Sequence, residues 1–111
     1  MTGKRDELAG ALSQRLVWQT AADIGDGGGG AVRQWHDQAV LWARVAPLPV
    51  TATAHGHGHG QTERFAVTLR WRAGLCPGQR LIWRGRVLNI ETSHDPDGRR
   101  HRLALLCRAE T

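Results

Sequence analysis

The segment FAVTLRWR at residues 65–72 alternates strictly between large apolar side chains and small or polar ones. The large apolar positions are Phe65, Val67, Leu69 and Trp71, and the positions between them are Ala66, Thr68, Arg70 and Arg72. Successive side chains of a strand point to opposite faces of a sheet, so this period of two predicts a strand with one buried face. The centre of the chain is therefore predicted to be β structure.

Three more strands are predicted between this segment and the C-terminus, at residues 80–83, 86–92 and about 100–108. The turn DPDG at residues 95–98 combines a proline that presets φ with a glycine that tolerates positive φ. The last strand is apolar on both faces at LALLC, residues 103–107. Such a run is typical of a central strand in a closed sheet.

Two longer strands are predicted on the N-terminal side, at residues 12–20 and 31–46. The glycine-rich run at residues 25–30 cannot continue a strand, because glycine loses the most backbone entropy and offers no side chain to pack. It predicts a hairpin loop. The second strand carries Trp35 and Trp42 and ends at PLP, residues 47–49, where prolines remove hydrogen-bond donors. With at most one short helix, near residues 1–12, the pattern indicates an all-β barrel or sandwich of about six strands.

The length of 111 residues fits one domain spanning residues 1–111, with residues 1–11 as an N-terminal arm. Apolar residues make up 41% and charged residues 23%, which argues against wholesale disorder. No apolar run approaches the ~20 residues that span a bilayer, and the N-terminus lacks the apolar core of a signal peptide. We expect a soluble, non-exported protein with no membrane partner.

The charge is strongly basic, with 14 arginines, one lysine, a net charge of +5 and a pI of 10.9. This balance permits binding to phosphate or to an acidic protein surface. Arginine together with abundant alanine and glycine also follows from a GC-rich genome. Net charge therefore favours contact with nucleic acid only modestly.

A histidine–glycine repeat lies in the segment at residues 50–62, which is predicted to be a long flexible loop. Its three histidines, His55, His57 and His59, are spaced so that an extended backbone would point them the same way, and imidazole binds zinc, copper and nickel. Alternating glycines provide no folded frame, and no nearby residues complete a set of four ligands. A solvated loop without metal is favoured, and no cofactor is predicted.

No catalytic residues are predicted. His94, Asp95 and Asp97 are accounted for by turn geometry, and no nucleophile has a base at a recognisable spacing. Cys107 lies in an apolar run, where a thiol usually serves as a small core residue, and both cysteines, Cys76 and Cys107, are expected to be reduced.

Five tryptophans accompany one phenylalanine and no tyrosine. Trp18, Trp71 and Trp83 lie on strands with a core pattern, so packing is their first explanation. Their interleaving with arginine also resembles a stacking surface for single-stranded nucleic acid. In a strand, however, Arg70 and Arg72 face away from Trp71, which favours core tryptophans behind a charged outer face.

Taken in order, these elements resemble the phage head–tail joining family, also called head closure or stopper proteins. The resemblance runs from about Leu12 to Glu110 and is strongest at WRGRVLNIE, residues 83–91. Its other carriers are RLVWQ at residues 15–19, the glycine loop, LWARVAPL at 41–48, FAVTLRWR at 65–72, GL at 74–75, DPDGRR at 95–100 and LALLC at 103–107.

The resemblance implies a closed β-barrel subunit that forms a homo-oligomeric ring, a hexamer or dodecamer, in the neck of a virion assembled in the bacterial cytoplasm. Portal and adaptor proteins would lie on the head side, the tail terminator on the tail side, and packaged double-stranded DNA in the channel. The loop at residues 50–62 would face the lumen as a DNA gate. The gate residues would be Thr51, Ala52, Thr53, Ala54, His55, Gly56, His57, Gly58, His59 and Gly60.

Arg70, Arg72, Arg84 and Arg86 are candidate contacts with acidic neighbours in such a ring. A phage, a prophage remnant and a gene transfer agent would all use such a subunit. Adaptor and terminator subunits of the same connector could share this barrel, so the sequence does not separate them from a stopper. The alternative function is a small β-barrel that binds single-stranded nucleic acid through tryptophan and arginine, with salt-sensitive affinity.

Overall fold

Six antiparallel strands make up most of the protein in the computed structural model, which describes residues 12–25, 27–49 and 62–110. They are β1 (Gln14–Gly25), β2 (Ala31–Pro47), β3 (Arg64–Arg70), β4 (Arg80–Trp83), β5 (Arg86–His94) and β6 (Arg102–Ala109). The strands close into a barrel in the order β1-β2-β3-β6-β5-β4. The predicted all-β closed barrel of about six strands is confirmed. The described residues contain no helix, and residues 1–11, where a short helix or arm was predicted, lie outside them.

The barrel interior is filled by one face of every strand. In β3 the alternation predicted from sequence holds, since Phe65, Val67 and Leu69 are buried while their neighbours are not. The buried residues are Leu16, Trp18, Leu41, Ala43, Phe65, Val67, Leu69, Leu75, Leu81, Leu88, Ile90, Leu103, Leu105, Cys107 and Ala109. No polar or charged side chain is buried among the described residues. The described core thus consists of apolar side chains.

The last strand, β6, has the central position that its apolar run predicted. It pairs with β3 along its whole length, from Arg64↔Arg108 to Arg70↔Arg102, and with β5 on its other side. A bulge at Glu91 shifts the register of β5, which then continues to His94, two residues beyond its predicted end. A bulge of this kind interrupts the period of two, so the alternation underestimates the strand.

The first strand is also longer than predicted, because it continues past Thr20 to Gly25. In this extension its one partner among the described strands is β2, since its pairing with β4 covers Val17–Gln19. Both faces of the extension are largely exposed, so no burial pattern marks it in the sequence. The predicted glycine loop joins the two strands, and Gly27 and Gly29 have positive φ angles of 83° and 88°. The hairpin prediction is confirmed.

We call residues 19–37 the hairpin arm. It begins at a bulge, where the pairing jumps from Trp18↔Ala39 to Gln19↔Asp37, and it runs to the glycine loop as a two-stranded ribbon. The six paired residues of β1 beyond Gln19 extend it by roughly 20 Å at the usual rise of a strand.

The two ends of the barrel carry different features. At one end lie the start of β3, the Arg84–Gly85 turn between β4 and β5, and the chain ends that flank residues 50–61. We call this the loop end. The hairpin arm and residues 70–79 lie at the opposite end, which we call the arm end. Residues 50–61 themselves are outside the described residues.

Candidate functional site

The four arginines predicted as interface residues do not lie together. Arg84 and Arg86 are at the loop end, whereas Arg70 and Arg72 are at the arm end. The reason is that β3 and β5 both run antiparallel to β6, and Arg70 ends β3 whereas Arg86 begins β5. Arg70 ends β3, and Arg72 follows it outside the strand. The predicted set therefore forms two separate cationic positions rather than one.

Three of these arginines lie against aromatic rings. The Arg72 guanidinium lies 5.5 Å from the centroid of Trp18, Arg84 lies 5.0 Å from Trp83, and Arg86 lies 5.4 Å from Phe65. In each contact the guanidinium covers an aromatic ring at the boundary of the core while the charged group stays near solvent. Arg84 adopts a positive φ of 50° in its turn, so its placement is set by the turn rather than by strand alternation.

Two ion pairs at the loop end also connect the start of β3 and the residue before it to β5. Arg86 Nη2 lies 2.8 Å from Glu63 Oε2, and Arg64 Nε lies 2.9 Å from Glu91 Oε1. Both pairs are exposed, so each contributes little to stability. They do order the residues from which the segment at 50–62 leaves the barrel, and Leu48 N donates to Arg64 O at 2.9 Å beside them.

Positive charge is in excess elsewhere on the barrel. Among the described residues Arg33, Arg64 and Arg86 pair with carboxylates, and the remaining arginines make no such pair within that part of the chain. A diffuse excess of this kind attracts a phosphate backbone without reading base sequence.

Three of the five tryptophans are core residues, whereas Trp42 is 55% exposed and Trp35 lies on the hairpin arm. Trp18 is buried, and Trp71 and Trp83 pack against the core, as predicted. Trp71 lies one residue beyond the end of β3, where its N–H donates to His101 O. Trp83 meets Phe65 edge to face at 5.3 Å and donates to Gln14 Oε1. These three rings pack in or against the core, so Trp42 presents the most exposed tryptophan surface for the stacking of bases.

Arg80 holds the base of the hairpin arm. Its guanidinium lies 4.0 Å from the centroid of Trp35 and donates to Gln19 Oε1 at 2.7 Å. Gln19 in turn donates to Asp37 Oδ1 at 2.7 Å. This chain of contacts joins β4 to both strands of the arm and sets the direction in which the arm leaves the barrel. The sequence pattern gave no indication of it, since the three polar residues are 18 and 61 positions apart.

Asp95 and Asp97 form a turn, as predicted, whereas His94 is the last residue of β5 and pairs with Ala104. Asp95 accepts from the N–H groups of Gly98 and Arg100, and Asp97 accepts from the N–H of Arg99. The hydrogen bond from Arg99 lowers the pKa of the Asp97 carboxyl. Both carboxylates therefore stabilise the turn by accepting hydrogen bonds from its backbone N–H groups.

No group of three histidine, cysteine, aspartate or glutamate side chains suited to a metal ion occurs within residues 12–25, 27–49 and 62–110. The histidines of the glycine repeat, His55, His57 and His59, lie outside those ranges, as does nearly all of the predicted lumen loop. The same ranges include no helix with the length and apolar character needed to cross a membrane.

The two cysteines are free thiols of opposite accessibility, Cys76 being exposed and Cys107 buried in the barrel. Burial raises the pKa of the Cys107 thiol to about 12. The thiolate is the reactive form of cysteine, so burial and the raised pKa both disfavour Cys107 as a nucleophile near neutral pH.

We expect a thiol reagent at pH 8 to modify Cys76 in the folded protein and to reach Cys107 only after denaturation. Because the folded pKa is raised, the stability contributed by the neutral Cys107 is complete below the ordinary thiol pKa and is lost as pH rises towards about 12. Mass spectrometry of the labelled protein, with Cys76→Ser as the control, measures the site. Rapid labelling of Cys107 in the folded control would contradict the buried assignment.

Comparison with known proteins gives a family match over most of the chain. The family model for the phage head completion protein matches residues 8–110, which include all six strands. A search of curated proteins finds no match.

Two solved structures are similar. One is a chain from the "virion of native gene transfer agent (GTA) particle", with a TM-score of 0.74 and 24% identity, covering 90% of this chain and 96% of that one. The other is protein SF1141 from Shigella flexneri 2a, with a TM-score of 0.68 and 28% identity, covering 92% of this chain and 96% of that one. The first likeness concerns the fold. With the family match over residues 8–110, this chain belongs to the phage head completion protein family.

Proposed function

We propose that this chain is the head-closure, or stopper, subunit of a tailed phage or a phage-like particle such as a gene transfer agent. The observation that carries the proposal is the head completion match, which spans the whole barrel and both of its ends. The similarity to a chain of a gene transfer agent virion supports it through the shared fold. The role is structural and non-enzymatic.

In this proposal the subunit forms a homo-oligomeric ring of six or twelve copies in the particle neck, assembled in the bacterial cytoplasm. Portal and adaptor proteins contact the ring on the head side, and the tail terminator contacts it on the tail side. The different features at the two ends of the barrel support such a polar arrangement. The loop end carries Arg84 and Arg86, of which Arg86 pairs with Glu63, and the arm end carries Arg70 and Arg72, so the two ends present cationic groups to different neighbours.

The ring retains packaged DNA in its channel. The arginines that lack carboxylate partners within the described residues supply attraction to the phosphate backbone. Such attraction is independent of sequence, which suits a channel through which any packaged DNA must pass. The segment at residues 50–62 enters the lumen and obstructs the duplex sterically when several copies are crowded in the ring.

Deleting the gene from the producing strain is expected to yield tailless heads that have lost their DNA, beside free tails. Electron microscopy of the particles and DNA measurement in separated heads test this. Expression of the intact gene from a plasmid is the control and is expected to restore joined, filled particles. Normal joined particles from the deletion strain would overturn the proposal, and oligonucleotide binding with tryptophan quenching would then test the nucleic-acid alternative.

A further inference from the structure

The hairpin arm is a two-stranded ribbon that extends beyond the rest of the sheet. Within the described residues, its strands pair only with each other beyond Gln19, so both edges of the ribbon lack a neighbouring strand there. An isolated two-stranded hairpin is at best marginally stable in water. A ribbon of this kind is stabilised when its side chains pack against another surface.

The tip of the arm presents an apolar pair for such packing. Ile24 and Val32 are directly opposite each other across the ribbon and are 49% and 59% exposed. Cross-strand partners lie on the same face, so the two side chains form one apolar patch. In the alternation of β1, Ile24 falls on the same side as Leu16 and Trp18, opposite to Ala21 and Asp23.

A second apolar surface runs across the outside of the barrel. The registers Val17↔Val40, Val17↔Ile82 and Ile82↔Val87 place four β-branched side chains in one row over β2, β1, β4 and β5. We call Val40, Val17, Ile82 and Val87 the outer apolar row. Its members alternate with buried neighbours and so face outward, and Val40 is 46% exposed. Trp42, two residues from Val40 on the same face, is 55% exposed and extends the row.

The arm cannot cover this row within its own chain. The arm and the row are built on the same two strands, β1 and β2, and Arg80 holds the arm at its base. A strand does not turn back on its own outer face without breaking the pairing. An arm that docks on this row therefore belongs to another molecule.

The charges favour a second copy of this chain as that molecule. Residues 19–37 carry three aspartates against one arginine, a net charge of −2, in a chain of net charge +5. The remainder of the chain therefore carries +7, the difference between these two values. The acidic arm of one copy complements the basic barrel of the next, and complementary charge guides association and sets register.

We infer that the hairpin arm of each subunit docks on the outer apolar row of its neighbour, with Ile24 and Val32 packed against Val40 and Ile82. The contact joins two different surfaces of the same chain, so it is heterologous and generates a ring when the rotation closes. This inference rests on the proposed ring and names the surfaces that build it. Adaptor and terminator proteins are then left to contact the two ends of the barrel.

Cysteine cross-linking tests the contact. In a Cys76→Ser background, a chain carrying both Val32→Cys and Val40→Cys is expected to give a ladder of disulfide-linked oligomers on oxidation of the assembled protein. Mixing the two single variants is expected to give a dimer that contains one of each. The matched control replaces Val40→Cys by Thr68→Cys, on the outer face of β3, and is expected to give no ladder.

Charge insertion gives a second, independent readout. The double variant Ile24→Asp and Val32→Asp is expected to remain folded, because both side chains are exposed, and to sediment as a monomer where the unaltered chain self-associates. The matched control is the double variant Ala21→Asp and Ala31→Asp, which adds the same two charges to exposed positions on the other face of the arm and is expected to leave self-association nearly unchanged. Unaltered self-association of the double variant would overturn the inference.

The outcomes separate this inference from the proposed function. If particles lose their DNA on gene deletion but the Val32–Val40 pair fails to cross-link in joined particles, the arm contact is wrong and the head-closure role stands. Homodimers of the Val32→Cys variant alone, with no ladder from the paired variant, would show arm-to-arm contact instead and would also overturn the inference. Normal particles after gene deletion would overturn the head-closure role itself.

Discussion

Replacing Trp18 by alanine is expected to destabilise the protein by about 3–5 kcal/mol, the usual cost of removing a buried tryptophan. Trp18 is 7% exposed, and its Nε1 donates to Gln79 Oε1 at 2.9 Å. The same oxygen accepts from the N–H of Cys76 at 3.0 Å, so one side chain joins β1 to the turn before β4. The ring also packs closely on Gly74, where a Cβ would lie 3.2 Å from Trp18 Cη2. The change removes core packing and a partly buried hydrogen bond together.

The matched control is Trp42→Ala, which removes the same side chain from an exposed position. Trp42 is 55% exposed, so its loss is expected to change the free energy of unfolding by about 0.5 kcal/mol or less. Guanidinium unfolding at dilute protein concentration, followed by circular dichroism, measures both. A third variant, Trp18→Phe, keeps an aromatic ring and is expected to lie between them. Similar losses for Trp18→Ala and Trp42→Ala would contradict the assignment of Trp18 to the core.

Deleting residues 51–60 is expected to abolish DNA retention in particles while leaving the barrel folded. The ends of this segment are already held together, since Pro47 pairs with Phe65 and Leu48 N donates to Arg64 O. Shortening a loop changes its closure free energy by only about 0.6 kcal/mol per halving of its length. The fold therefore does not depend on the deleted residues, and we expect heads to lose DNA as fully as in the gene deletion.

A variant that keeps the length of the loop distinguishes steric obstruction of the DNA by the loop from a specific role of its histidine side chains. Replacing His55, His57 and His59 together by alanine is expected to preserve DNA retention if the loop acts sterically. The readouts are DNA content of separated heads and thermal unfolding of each purified variant. Full DNA retention by the deletion variant would contradict the lumen role. Loss of retention in the triple variant alone would assign the role to the histidines instead of to the bulk of the loop.

Local alternation was sufficient to predict the strands that line the core. In β3 and β6 each buried residue is followed by a less buried one, because the period of two records which face meets the interior. The turn at residues 95–98 was also predictable, since its aspartates hydrogen-bond to their own backbone. The predicted strand ends were less accurate where a bulge or an exposed ribbon removes the alternation, as in β5 and at the end of β1.

What the linear sequence established is the set of elements and the face each one buries, because both depend on neighbours a few residues apart. Strand order, the outer apolar row, and the separation of Arg70 and Arg72 from Arg84 and Arg86 were settled by the fold in three dimensions. They depend on registers such as Val17↔Ile82, between residues 65 positions apart, which periodicity cannot encode. The hairpin arm projects from the barrel because β4 stops pairing with β1 at Gln19. The sequence pattern does not show this, because the end of the sheet is set by pairing with a strand that is distant in the chain.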